Sequence, residues 1–179
     1  MNIQPITYFF AKYLVTHFLY VIFFICLISA PTTLRADALL NETKARFIYN
    51  LTHYTTWPDV IDKPHICIYN KNSITQALQK ELYSKKITVS NAYTDSSLNS
   101  CNILFIGKCG PKPIAKLLNQ IESLPLLTIS DCKQFVELGG AVQFINQKSN
   151  VRLIISPKSL SDKKIVISSN LLEIAQIHE

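Results

Sequence analysis

The side chains able to do chemistry are few, and their spacing sets narrow limits. Beyond residue 36 only three histidines occur, His53, His65 and His178, and four of the five cysteines, Cys67, Cys101, Cys109 and Cys132. His65 and Cys67 stand two apart, so on a strand they face the same way and could begin a metal site. Such a site needs further ligands from distant segments, and a buried structural histidine is the plainer reading. None of the cysteines forms a C-x-x-C pair, which argues against a thioredoxin-like redox centre. Gly107-x-x-Gly110, with Lys108 and Lys112 nearby, has the outline of a phosphate-binding turn. Pro111 and Pro113 remove two amide donors that such a cradle would use, so turn glycines are expected instead. The carboxylates are scattered: Asp59 and Asp62 flank a loop, Asp131 is placed to cap a helix, and Glu173 rides a helical face. Neither G-x-S-x-G nor H-E-x-x-H is present, and Ser161-x-x-Lys164 lacks companion motifs. Nothing in this set demands an enzyme, a cofactor or a resident metal.

The composition agrees with a folded, exported chain. Its 179 residues are 48% hydrophobic and 17% charged, with a net charge of +6. Length allows one domain, and the apolar content excludes disorder. Residues 1–36 carry only Lys12 and Arg35; without them, 16 basic face 12 acidic side chains, a net +4. The lysines are dispersed rather than clustered, which speaks against a nucleic-acid partner. Phe18 to Ala30 is an uncharged run of thirteen residues. That suits a signal-peptide core better than a span, which takes about 20 residues. Residues 1–36 are therefore expected to be a signal peptide, cleaved or kept as an N-terminal anchor, and residues 37–179 one exported domain. Four cysteines in an exported chain suggest two disulfides, with three connectivities open.

The elements that must position these residues follow from periodicity. Ala45, Ile48, Leu51, Thr52 and Thr55 recur at helical spacing, predicting a helix over 37–57 that Trp57-Pro58 ends. Apolar runs predict strands at 65–69, 87–92, 102–106 and 126–129. Helices are expected from Ser73 through Leu82, from Pro113 to Ser123, and over 131–138 with Gly139-Gly140 at its exit. Residues 93–100 read as a polar loop. Residues 141–145 and 151–155 read as a hairpin with a five-residue loop. A brief helix over 156–162, a strand at 165–167 and a last helix over 168–177 complete the chain. The alternation predicts one α/β domain, three-layered and Rossmann-like, with a mixed sheet closed by the C-terminal hairpin and helix.

The ordered motifs carry a resemblance. Lys44-x-x-Phe47-Ile48-Tyr49-Asn50-Leu51 followed by Tyr54-Thr55-x-Trp57-Pro58 resembles the opening of the YfiR family, the DUF4154 class. His65 to Ile68, Cys101 to Ile106, Leu127 to Asp131, Phe135-x-x-x-Gly139-Gly140-Ala141-Val142 and Val151-Arg152-Leu153-Ile154-Ile155 continue it in order. Leu171-Leu172-x-Ile174-Ala175 matches its ending. Family members commonly carry Asn where this chain has Ser156. The resemblance implies pairing of Cys67 with Cys101. Cys109 and Cys132 match no second family pair, yet each lies just past a predicted strand end, which allows a bond between them. The resemblance further implies a periplasmic, non-enzymatic repressor. It would bind the periplasmic sensor region of an inner-membrane diguanylate cyclase, be sequestered by an outer-membrane lipoprotein, and so control cyclic di-GMP and biofilm growth. A homodimer is compatible with this. The alternative is a small-ligand-binding module of the same fold, using the crevice at the strand C-termini.

Overall fold

A computed structural model describes residues 13–23 and 32–179, apart from 71–72, 84, 86, 93–94, 108–109 and 148–149. Two compact units divide between Arg35 and Ala36. In the first, residues 13–23 are helical, with exposed Tyr13, Leu14, Phe18 and Tyr20. Among the described residues no helix is long and apolar enough to cross a membrane.

The second unit is built on a sheet of short strands. These are β2 (Ile66–Tyr69), β3 (Val89–Ala92), β4 (Ile103–Ile106), β5 (Leu127–Ser130), β6 (Val142–Gln147), β7 (Asn150–Ile155) and β9 (Gln176–Ile177), ordered β3-β2-β4-β5-β6-β7-β9. From β3 to β6 all neighbours are parallel; β7 returns antiparallel to β6, and β9 runs parallel to β7. Both faces of β4 and β5 are fully buried, as parallel strands covered by helices must be.

Alternating side chains feed two cores. On one face Ile66, Ile68, Ile103, Phe105, Leu127 and Ile129 meet helix α1 (Thr32–Tyr54) through Ala45, Ile48 and Leu51, and helix α2 (Ile74–Tyr83) through Ile74, Leu78 and Leu82. On the other, Cys67, Leu104 and Ile106 meet helix α3 (Pro111–Gln120) through Ile114, Leu117 and Leu118. Leu98, from a 3-10 turn over Asp95–Ser100, joins that second core. The result is the expected three-layered α/β fold with a mostly parallel sheet.

Several details differ from the sequence reading. The first helix starts at Thr32 and stops at Tyr54, because Thr55–Thr56 (β1) pair antiparallel with Val166–Ile167 (β8) in a separate two-stranded sheet. Residues 95–100, expected as loop, form the 3-10 turn. No helix occupies 131–138; the segment is a chain of turns, with Gln134 at φ 59°. Only eleven residues, 131–141, link the neighbouring parallel strands β5 and β6, too few for a packed helix and two turns. Buried side chains hold this segment in place of helical bonds. Oε1 of Gln143 accepts from the amides of Phe135 (2.7 Å) and Val136 (3.3 Å), and Oγ1 of Thr128 accepts from that of Ala141 (3.0 Å).

Asp131 caps no helix. It instead accepts from Lys44 Nζ at 2.8 Å, with 3% of the lysine side chain and 24% of the carboxylate side chain exposed. The hairpin is tighter than expected, since pairing continues to Gln147 opposite Asn150. The final helix α5 covers only Ser169–Leu172, and Gln176–Ile177 become the sheet edge instead. Ser156 is buried and caps helix α4 (Pro157–Ser161) by accepting from the amide of Ser159 at 3.4 Å.

Candidate functional site

Among the described residues, a group of chemically able side chains lies where the chain leaves α1, crosses Trp57-Pro58 and enters β2. Trp57 follows β1 and is buried in the core that also holds Ile48 and Ile66. Its indole Nε1 donates to the carbonyl of Asn102 at 3.3 Å, giving the ring's polar edge a partner. Asn102 in turn accepts the amide of His65 on Oδ1 at 2.8 Å, and the carbonyl of His65 accepts from the amides of Asn102 and Ile103. Asn102 thus fastens the tryptophan, the start of β2 and the start of β4 to one another.

On the outer side of this knot is a cleft of about 490 Å³, lined by the C-terminal part of α1, residues 55–64, Lys85 and Ile87. Tyr49 forms one wall. Its ring meets His53 edge-on at 4.9 Å, and the ammonium of Lys85 sits 5.1 Å from its centroid. Asp59, Asp62 and Lys63 stand on the rim, with Val60 fully exposed between them. Pro64 and Ile87 precede β2 and β3, so the cleft opens at the N-terminal ends of the parallel strands. The expected crevice at the strand C-termini includes residues 71–72 and 108–109, which lie outside the described residues.

Beneath the knot, on the second-core face, Cys67 and Cys101 form a disulfide with Cα atoms 5.8 Å apart. His65 sits beside it. Its Nδ1 lies 3.0 Å from the Ser100 carbonyl, and its Nε2 is 2.8 Å from Ser90 Oγ and 3.9 Å from Cys67 Sγ. A carbonyl can only accept, so in the neutral ring Nδ1 carries the proton and Nε2 is the acceptor. A serine beside a histidine base invites comparison with a hydrolytic pair. Here neither residue lines the cleft, and a backbone carbonyl, not a carboxylate, orients the ring.

The other residues singled out in sequence are spread through the fold rather than gathered at one site. Lys44 is committed to Asp131. Asn50 is exposed, and Pro58 lines the cleft. Gly139, at φ 98°, and Gly140 end the helix-free link to β6, and a Cβ on Gly140 would lie 2.2 Å from the Phe135 ring. Arg152 is exposed on β7, opposite Ile145. Cys132 is disulfide-bonded, but Cys109 lies outside the described residues, so their pairing stays an expectation. Sequence reasoning missed Asn102, Ser90, Lys85 and Asp131 as partners. No local pattern marks them, because each meets its partner only through strand register or the packing of α1.

The comparisons with known proteins agree with this architecture. The sequence profile described as YfiR/HmsC-like, DUF4154, matches residues 41–176. A conserved domain protein from Vibrio cholerae O1 biovar eltor has a similar fold, with a TM-score of 0.62 at 9% identity over 78% of this chain. So does an ABC domain in complex with L-Trp from Streptococcus pneumonia, with a TM-score of 0.59 at 12% identity over 77%. The chain spans about 60% of the length of each of those two solved chains. At such identities they speak to the fold alone. The profile match covers most of the chain, so this protein belongs to the YfiR/HmsC-like family, whose members are periplasmic regulators rather than enzymes.

Proposed function

From that membership we propose that the chain is exported to the periplasm and represses a membrane-bound diguanylate cyclase by binding its periplasmic sensor region. The single observation that carries this reading is the family match over residues 41–176, nearly all of the second compact unit. The mechanism is a shift of populations: a repressor that binds the inactive receptor state more tightly holds that state populated. Withdrawal of the repressor, for instance onto an outer-membrane lipoprotein, frees the cyclase, raises cyclic di-GMP and favours biofilm growth. Residues 1–36 serve as the export signal or anchor. Exposed apolar side chains on the second unit, among them Tyr54, Val60 and Val166, are consistent with a protein-binding role.

The test is genetic and direct. Deleting the gene should raise cytoplasmic cyclic di-GMP, and restoring the full chain should lower it again. An unchanged level in a strain that makes an intact cyclase with a periplasmic sensor would contradict the proposal.

A second reading, a ligand-binding module, draws on the cleft beside Tyr49 and Lys85. Its volume and its mixed aromatic and charged wall suit a small amphipathic molecule. The two readings are compatible if a ligand in the cleft changes receptor binding. Tyr49→Ala would then alter the response to a ligand without abolishing repression.

A further inference from the structure

We propose that, once a dithiol reduces the Cys67–Cys101 disulfide, the two thiolates and Nε2 of His65 form a binding site for Zn²⁺. The potential donor atoms of these three residues lie within 4.8 Å of one another. The imidazole is already arranged as a ligand. Its Nδ1–H is held by the Ser100 carbonyl, the outer-shell bond that fixes tautomer and ring direction at histidine metal sites, and Nε2 points toward the sulfurs. Zn–S and Zn–N bonds of about 2.3 and 2.0 Å at a tetrahedral angle place N and S roughly 3.5 Å apart. The present separation of 3.9 Å between Nε2 and Cys67 Sγ is close to that. The sulfurs must part to about 3.8 Å by the same geometry, a change that rotation of two cysteine side chains supplies.

The scaffold does not depend on the disulfide for its position. β2 and β4 pair from Ile66 opposite Ile103 to Tyr69 opposite Ile106, and the amides of Asn102 and Ile103 bond the His65 carbonyl. Both cysteine segments are therefore held side by side in the reduced protein. Ser90 Oγ, now 2.8 Å from Nε2 and 3.6 Å from Cys67 Sγ, would release the nitrogen, leaving the fourth position to water. The steps balance. The disulfide takes two electrons and two protons from the dithiol, which itself closes to a disulfide; Zn²⁺ then displaces both thiol protons. Metal and disulfide thus compete for the same two sulfurs, and the metal traps the reduced form.

The experiment uses the full-length gene product, purified as the cell processes it and reduced with a phosphine. Co²⁺ serves as the spectroscopic probe and Zn²⁺ as the competitor. Reduced protein should bind one Co²⁺ with a thiolate-to-metal absorption band, lose it to Zn²⁺, and melt higher with Zn²⁺; oxidised protein should do none of these. His65→Gln should weaken binding at least about tenfold, Cys101→Ser should remove the band, and Cys132→Ser should keep it. Absence of the band in reduced protein, or its persistence in Cys101→Ser, would overturn the proposal. Should His65→Gln fail to fold, the reduced native protein decides: Zn²⁺ must shield Cys67 and Cys101 from alkylation, and labelling at the unprotected rate refutes the site.

Discussion

Gly140 has no room for a side chain, because the ring of Phe135, itself fully buried, stands 2.2 Å from where a Cβ would be. Neither backbone nor ring can give way easily, since the amide of Phe135 is held by Gln143. Gly140→Ala should therefore cost about 1–3 kcal/mol, the usual penalty of overpacking, read as a lower denaturation midpoint. Gly139 meets nothing within 4 Å but sits at φ 98°, so Gly139→Ala should cost only backbone strain, about 1–2 kcal/mol. Lys44 and Asp131 give an asymmetric pair. Asp131→Ala strands a buried ammonium, which costs about 3–5 kcal/mol, whereas Lys44→Met leaves a carboxylate that water can still reach. The aspartate variant should be the less stable of the two in parallel urea titrations. The sequence showed Lys44 as part of a motif, but its partner lies 87 residues away and was read as a helix cap. Only the packing of α1 against the end of β5 joins them.

At the scale of elements, the long apolar runs were legible and the short pairings were not. β4 could be read from uninterrupted Ile, Leu and Phe, and β2 and β5 from Ile and Leu alternating with Cys, Thr and Ser, patterns that suit strands covered on both faces. β1, β8 and β9 are two residues each, and their strand character comes from a neighbour rather than from their own residues. The helix expected over 131–138 failed for a related reason, the shortness of the β5–β6 link. Helix α3 carries a device that the sequence did not reveal. Nζ of Lys163, 42 residues beyond Ile121, donates to the carbonyls of Ile121, Glu122 and Leu124 at 3.0, 3.0 and 3.1 Å, tying down the turn that follows the helix. Burial pushes this ammonium below the usual lysine range, with Glu122 and Asp162 opposing. Lys163→Met should destabilise by about 1–3 kcal/mol through its unsatisfied carbonyls. Because the folded value lies below the unfolded one, the native protein should gain stability relative to Lys163→Met as pH rises from the folded value toward 10.5. The Cys67–Cys101 pairing came from family likeness and not from spacing. It closes 34 residues of chain, so Cys67→Ala/Cys101→Ala should lose about 3–4 kcal/mol in thermal unfolding.

For the molecule as a whole, the fold class and family could be read from the ordered motifs, while the cleft could not. Tyr49 comes from α1, Trp57 from the link after β1 and Lys85 from the turn after α2, and their meeting at the N-terminal ends of the strands is a property of the assembled layers. The proposal that the second unit acts by binding a membrane receptor rests on the family match. It is tested most directly by recovering a C-terminally tagged full-length gene product from detergent-solubilised membranes of the cells that make it. We expect an inner-membrane protein with a periplasmic sensor and a cytoplasmic diguanylate cyclase domain to co-purify, and to be absent from an untagged control. Quantitative recovery of the tagged chain with no such protein, from membranes in which the cyclase is detected, would contradict the account.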